Sequence, residues 1–541
     1  MEFRRRQGRH LQGVAVLIGE EGFRSLLGRM RDDGALIELP QPIDPRHIPT
    51  LVDQSATALC FAKPVGYGMQ LVSGLVRTAG RLTLACGCER MEQLAQGLSQ
   101  GLAHPISPRI VPSPKRQRWE GEAVDLFRLP VPLSAVHDGA PTITAGVVLA
   151  HDAEYGLNAG VYRLMLRDRC TTGIDIVTPN NLRLFAERAL AEGRSLPISV
   201  NIGVHPVDML GAGYRSPAGV EELGIAGGLR GAPVALASCE TIDVPCLADA
   251  EIVLEAEILP TGWIYPEGRF GEFTRLMGGL HWNPLVRVKA IAAKPDAIFY
   301  ALHMPWENIW LGAPTRHAAI SEALRAAGIA VAAINVTLGG CAFWHAVVAI
   351  RKQAGEGKNA LLAALSVMDL KQVIVVDDDI DIFDPIDVEF AVATRVQADR
   401  DVMVIQGTRA KPLDPSLPPT AGVPTGARLG IDATIPEAVP RERFERIHHP
   451  RAAVVQLPDY LAGQADPPGL PAEDLAEQVF AAVTEAPIYY NALLERFAAH
   501  SYAALTRSIG RLQAEGRLWQ DTRGRICPRG SPFDAVSPGR H

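Results

Sequence analysis

The feature that most limits how this chain can fold is a change of texture at two places. From residue 119 to about 300, strand-like runs dominate: Ile143 to His151, Ala159 to Leu166, Ile198 to Ile202, Val234 to Cys239, Ile252 to Ile258, Leu285 to Ala292 and Ala297 to Leu302. Turn residues separate them, and one clear helix, Asn181 to Glu192, interrupts. This predicts a mostly antiparallel sheet or barrel with helical insertions. From about 315, helices alternate with β-branched runs: helix 315–328 with strand Ala330 to Val336, helix 357–369 with strand Gln372 to Val376, and a helix-like segment 384–395 with strand Val402 to Ile405. That alternation predicts an α/β layer with parallel pairing. With 541 residues, the expectation is roughly two to four structural units.

Both ends read differently. Phe23, Leu26, Leu27 and Met30 predict a helix over 19–34 that stops at Gly34, followed by a short strand, Leu36 to Leu39. Residues 69–86 read as alternating strand-like runs, Met91 to Leu102 as an amphipathic helix and 104–118 as a linker. The tail offers helices at Asp474 to Val483, Tyr489 to Phe497 and Tyr502 to Glu515, then a turn at Asp521 to Gly524, a winged-helix-like pattern. The expected boundaries are 1–115, 116–305, 306–464 and 465–541. Residues 408–442 form a long Pro/Gly loop region, uncommon without a function.

Charge and motifs exclude several classes. The 53 basic and 60 acidic residues give a net charge of −7, with only short basic clusters at Arg4 to Arg6 and Lys115 to Arg118, so nucleic acid is not an expected partner. The eight cysteines include no CxxC pair and read as buried free thiols of a reducing compartment. Val14 to Ile18 is too short for a signal-peptide core, and no stretch suits a membrane span, so a soluble cytoplasmic protein is expected. No dinucleotide fingerprint, P-loop or nucleophile elbow is present, which leaves NAD, ATP and Ser-His-Asp chemistry unsupported.

Two segments carry the chemistry. Glu267-Gly-Arg-Phe-Gly-Glu272 sets two carboxylates five apart around two glycines, and a Gly-rich turn can aim both into one cleft. Paired acids in a dry cleft cannot both ionise cheaply, so one becomes a proton donor near neutral pH. Spacing alone fits two exposed loop acids better. In Asn158-Ala-Gly-Val-Tyr-Arg163, residues 159, 161 and 163 share a strand face. An Arg entering a core there needs an anionic partner, either a ligand or a structural carboxylate.

Taken together, Pro141-Thr-Ile-Thr-Ala-Gly-Val-Val148, Asn158 to Arg163, Ala226-Gly-Gly-Leu-Arg-Gly231 behind Glu221 and Glu222, Glu267 to Glu272, and Lys371-Gln-Val-Ile-Val-Val-Asp-Asp-Asp-Ile-Asp381 resemble the UbiD-type decarboxylases in order and spacing. The resemblance spans roughly residues 20–460. It implies an N-terminal α/β unit, a central split-barrel-like cofactor domain and a C-terminal α/β oligomerisation domain. The implied activity is reversible, non-oxidative decarboxylation of an aromatic or α,β-unsaturated acid. It proceeds by cycloaddition to prenylated FMN, CO₂ loss and protonation, with a flavin prenyltransferase supplying the cofactor. Arg163, Glu267 and Glu272 match the family's catalytic network, Glu272 as the proton donor.

The resemblance also assigns a divalent cation, usually Mn²⁺, with K⁺ nearby. Asn158 and Glu222 match two ligands, and Asn181 stands where the family usually has His. Asn180, Asn181, Ala159, Gly160, Val161, Tyr162, Arg163, Ala212, Gly213 and Tyr214 match segments that line the cofactor, and Lys371 matches a phosphate contact. Val177, Phe273, Met304 to Leu311 and the 408–430 loop are the expected substrate walls, with Trp306 and Trp310 pointing either to a flat apolar substrate or to a core role. A homodimer or larger assembly is expected. The alternatives are a non-catalytic cofactor-binding or carboxylase-assembly subunit of the same fold, and a DNA-binding role for the tail.

Overall fold

Phe23, Leu26, Leu27 and Met30 are buried along one face of helix Phe23–Asp32, as their spacing predicts. In the computed structural model, which describes residues 18–176, 179–418, 422–450, 455–461 and 475–532, this helix joins a core with Leu36, Ala58, Cys60 and Val72. Those residues belong to the first sheet: β1 (Leu36–Ile43), β2 (Ala58–Pro64) and β3 (Gln70–Ser73). The second half of the expected strand region 69–86 is instead a helix, Ala79–Ala85. Leu82 and Leu84 fit either period over so short a window. The Thr78 side chain decides by accepting from the Arg81 N–H at the helix start.

The central sheet contains β4 (Gln117–Glu120), β5 (Thr142–Asp152), β6 (Gly156–Met165), β7 (Leu196–Ile202), β8 (Ile252–Ile258) and β9 (Leu285–Ala293). Its order is β4-β9-β8-β7-β5-β6, with Thr171–Gly173 also paired to β9, and these pairings are antiparallel. The sheet is open rather than closed into a barrel. β5 is apolar on both faces because both are covered: Ala145, Val147 and Leu149 pack into one core, Val148 and Ala150 into another. A bulge between Ile143 and Gly146 shifts its register, and Thr144 within it lines a cavity described below.

Residues 297–302, grouped above with the central strands, leave that sheet. β10 (Ile298–Ala301) pairs parallel with β3 and completes the first sheet in the order β1-β2-β3-β10. Helix Trp306–Ala326 follows. The helix begins nine residues before the expected start at 315, and Pro314, a residue that ordinarily starts a helix rather than interrupting one, sits inside it. The additional turns carry Glu307, which is fully buried. Its carboxylate accepts from the N–H groups of Gly74 (2.9 Å), Val76 (2.9 Å) and His303 (2.6 Å) and from the Tyr300 hydroxyl (2.9 Å). One side chain thus ties β10 and the long helix to the end of β3.

The third sheet is formed by β11 (Val331–Val336), β12 (His345–Ile350), β13 (Gln372–Asp377), β14 (Val402–Arg409) and β15 (Thr425–Ala433), in the order β11-β12-β13-β15-β14. The expected parallel pairing holds in its centre, β12-β13-β15, and both edge pairings are antiparallel. All of this lies within one compact unit, residues 11–440. The other unit comprises residues 441–541 with residues 1–10. Its described part has helices Ala476–Glu485, Tyr490–Arg496 and Tyr502–Ala514 and a hairpin of Leu518–Gln520 with Ile526–Pro528. Val479, Val483, Leu493, Leu505, Ile509 and Leu518 form its core. Asp474, the expected start of the first of these helices, lies outside the described residues. Among the described residues, no helix is long and apolar enough to cross a membrane.

Glu307→Ala removes the acceptor for three buried N–H groups. It is expected to cost at least about 3 kcal/mol, read as a lowered unfolding midpoint and as faster amide hydrogen exchange at Gly74, Val76 and His303.

Candidate active site

Glu267 ends a short strand, Tyr265–Glu267, that pairs with His281–Asn283, and the register sets Glu267 opposite His281. The turn that follows is held by a backbone crossing. A Cβ on Gly139 would lie 2.5 Å from the Cα of Gly268, and the reverse holds for Gly268, so neither position admits a side chain without displacing the other strand. Asp138 secures the turn by accepting from Gly271 N–H (3.0 Å) and Ala135 N–H (2.8 Å). The turn thereby presents both Glu267 and Glu272 to β6.

Arg163, near the end of β6, receives them. Its Nε donates to Glu267 (3.0 Å), and its Nη1 donates to Glu272 (2.6 Å). Its Nη2 lies 2.9 Å from Asp175 and 3.3 Å from His281 Nδ1. The guanidinium sits 4.8 Å from the Phe270 ring centroid. Asn283 donates to the other oxygen of Glu267. The Glu267 side chain is 0% exposed and that of Glu272 8%, so water screens this cluster weakly.

Three carboxylates surround one guanidinium. Burial pushes the Glu267 carboxyl above its usual range, against the pull of Arg163. The hydrogen bond to Asp175 raises the His281 imidazole above its usual range, against burial. With His281 charged, one negative charge is still in excess, and a shared proton is the cheap way to remove it.

Two cavities meet at β6. One, of about 340 Å³, is lined by Asn158, Ala159, Gly160, Val161, Tyr162, Asn180, Asn181, Ala212, Gly213, Tyr214, Ser216 and Glu222, among others. Glu222 opens helix Glu222–Arg230. Its carboxylate accepts from Asn158 Nδ2 (3.0 Å), Ala159 N–H (3.0 Å), Asn181 Nδ2 (3.4 Å) and the Ser216 hydroxyl. Burial pushes its carboxyl upward, while Asn158 Oδ1 is buried with no hydrogen-bond partner. One carboxylate and two amides offer hard oxygen donors, and the orphaned Asn158 oxygen fits a hard divalent cation, although both amides now turn NH₂ toward Glu222. Among the described residues no group of three or more His, Cys, Asp or Glu could hold a metal, so an ion here depends on the amides.

The other cavity, of about 360 Å³, shares Val161, Tyr162, Gly213 and Arg215 with the first. Arg163, Asp175 and Glu272 line it, with Phe270, Phe273, Met304 and Leu311 among its apolar walls. Glu267 stands behind them. Trp306 and Trp310 line neither cavity and pack against the third-sheet core, and Val177 lies outside the described residues.

Arg163, Glu267 and Glu272 are therefore brought together, as are Asn158, Asn181 and Glu222. Lys371 is not brought to them. It pairs with Asp414 (2.8 Å), donates to Ser416 and lines a separate cavity. Sequence reasoning missed Asp175, His281, Asn283, Ser216 and the cations Arg215 and Arg316, whereas Lys411 lies in the 408–430 loop expected as a substrate wall. An Asp between two buried isoleucines, Ile174 and Ile176, was a readable signal. His281 and Asn283 reach Glu267 only through hairpin register.

Residues 109–305 match the 3-octaprenyl-4-hydroxybenzoate carboxy-lyase Rift-related domain, and residues 309–433 match the C-terminal domain of the same family. The chain belongs to the UbiD family of carboxy-lyases. It is 34% identical to the anhydromevalonate phosphate decarboxylase of Methanosarcina mazei over 78% of this chain and 98% of that one. It is 30% identical to the gallate decarboxylase of Lactiplantibacillus plantarum over 67% and 80%. The UbiD-class enzyme HmfF from Pelotomaculum thermopropionicum, solved with FMN, superposes with a TM-score of 0.76 at 35% identity, covering 81% of this chain and 100% of that one. An evolved dimeric form of HmfF, solved with prFMN, gives 0.72 at 33% identity, covering 81% and 99%.

The His281 shift has a testable sign. A raised histidine pKa means that the charged His281–Asp175 contact contributes its stability in full below the ordinary histidine pKa and loses it as pH rises through the raised value. An NMR titration should place His281 above the ordinary histidine range, and Asp175→Asn should bring it down.

Proposed function

We propose that this protein catalyses the reversible, non-oxidative decarboxylation of an aromatic or α,β-unsaturated carboxylic acid with prenylated FMN. The observation that carries the reading is Arg163 holding Glu267 and Glu272 at a cavity that shares a wall with the Asn158–Glu222 cleft. The two HmfF structures, with FMN and with prFMN, support a flavin cofactor. The relatives named for anhydromevalonate phosphate and gallate support an acid substrate.

When bound, prenylated FMN supplies the electron sink that a vinylic or aryl carboxylate needs to release CO₂. The chain supplies the rest. Asn158, Asn181 and Glu222 would hold a divalent cation, with K⁺ as a second ion, and the segments Ala159 to Tyr162, Asn180 and Ala212 to Tyr214 would line the flavin. Arg163 orients the substrate carboxylate and fixes both glutamates. Glu272, the one of the pair that lines the cavity, gives a proton to the carbon that lost CO₂ and takes it back in the reverse direction. Glu267 stores charge behind it. Lys371 is left out of this set because Asp414 already holds it. We also propose boundaries near 115, 305 and 464, a flavin prenyltransferase as cofactor supplier, a homodimeric or larger assembly and a cytoplasmic location.

Co-expression with a flavin prenyltransferase is expected to give protein that carries prenylated FMN by mass spectrometry and releases CO₂ from members of an aromatic-acid panel. Protein that stays cofactor-free and inert contradicts the reading. Glu272→Gln should lower turnover by about 10²–10⁴-fold or more with cofactor retained.

The metal assignment has its own test. Glu222→Ala should lose both divalent metal and cofactor, and Asn181→His should bind Mn²⁺ at least as tightly as the native protein. Unchanged metal content in Glu222→Ala removes the assignment.

A further inference from the structure

The cavity beside Glu272 has a second charged lining. Arg316 from helix Trp306–Ala326, Lys411 from the loop after β14 and Arg215 all face it. They converge on a single carboxylate oxygen: Asp369 Oδ2 lies 2.9 Å from Arg316, 3.0 Å from Lys411 and 3.9 Å from Arg215. One carboxylate against three cations leaves two positive charges in excess.

Solvent does little to relieve the two inner cations, because the Arg316 and Lys411 side chains are only 11% and 13% exposed. Arg316 Nε is buried with no hydrogen-bond partner. Burial pushes Lys411 down to about 8, with the neighbouring arginines acting in the same direction against Asp369. The aromatic pair Phe273 and Phe343, with centroids 4.3 Å apart, lies beneath. Lys411 sits 5.0 and 4.9 Å from their centroids, and Arg316 sits 4.7 Å from that of Phe343. A buried surplus of like charge is costly to hold together. An anion docking on it would relieve that cost and find donors already oriented.

We propose that Arg215, Arg316 and Lys411 bind a second anionic group of the substrate, a carboxylate or a phosphate, so that the enzyme selects acids carrying two anionic groups. This rests on the reading of the cavity as the decarboxylation site. The Arg163 network takes the carboxyl that leaves. The phenylalanine faces take the flat apolar body, and the cation cluster takes the remaining anion. A volume of about 360 Å³ suits a single ring or a short unsaturated chain with both groups.

The test measures binding to the prenylated-FMN holoenzyme by calorimetry. Terephthalate and fumarate are each compared with their monomethyl ester, which keeps the body and removes one charge, and 4-(phosphonooxy)benzoate is compared with benzoate. At least one dianion is expected to bind about 100-fold or more tighter than its singly charged partner. Arg316→Met and Lys411→Met should each reduce that ratio to below about tenfold while cofactor absorbance is unchanged. Whichever of the second carboxylate and the phosphate loses more in the variants is the group recognised. Esters that bind as tightly as dianions, a panel that does not bind at all, or variants that lose cofactor instead of selectivity would each overturn the proposal. The last outcome would make the cluster a cofactor-phosphate contact. Failure of the decarboxylase reading looks different: dianion selectivity stands, and no acid releases CO₂.

Discussion

The charge balance around Arg163 is the constraint on which the site depends. A guanidinium this buried needs carboxylates, and three carboxylates this close need a cation and a proton. Each partner comes from a different stretch of chain: Asp175 from the segment between β6 and β7, Glu267 and Glu272 on either side of a glycine crossing, His281 through a hairpin register. Much of the local architecture can be understood as holding these groups within hydrogen-bond reach. The Gly139–Gly268 contact, too close for a Cβ on either residue, sets where the turn lies. Asp138 spends its carboxylate on two backbone N–H groups of the same structure.

The geometry also separates two jobs that a pair of acids could share. Glu267 is enclosed and has its carboxyl pushed up, while Glu272 lines the cavity. In the proposed reaction, a proton held in the network reaches the substrate through Glu272. The first sheet and the long helix contribute at a distance. Glu307 fixes the start of Trp306–Ala326 against β3, and the same helix carries Leu311 and Arg316 along the cavity wall.

The sequence made the fold legible where periodicity was long and clean. The helix at 23–32, the central strands and the alternating elements after 330 all follow from residue spacing. It misled where a single side chain settles an ambiguity. Thr78 caps a helix that alternation alone reads as strand, and Pro314 lies inside a helix it ordinarily would begin. Strand β10 could not be assigned to its sheet, because pairing with β3 is a tertiary choice that leaves no local mark. In the site, ordered motifs pointed to Arg163, Glu267, Glu272, Asn158, Asn181 and Glu222. They were silent on Asp175, His281 and Arg316, whose roles arise from register and chain crossing. Lys371 shows the converse, a motif position whose side chain is held elsewhere, by Asp414.

In the proposed mechanism the proton passes through Glu272 under the control of Arg163 and Glu267. Solvent-deuterium exchange into the product, at the carbon from which CO₂ departs, isolates that step from CO₂ release and substrate choice. With holoenzyme in heavy water, the native protein should exchange that hydrogen, Glu267→Gln should exchange it slowly, and Glu272→Gln should not exchange it while retaining cofactor. Exchange by Glu272→Gln at the native rate would contradict the account.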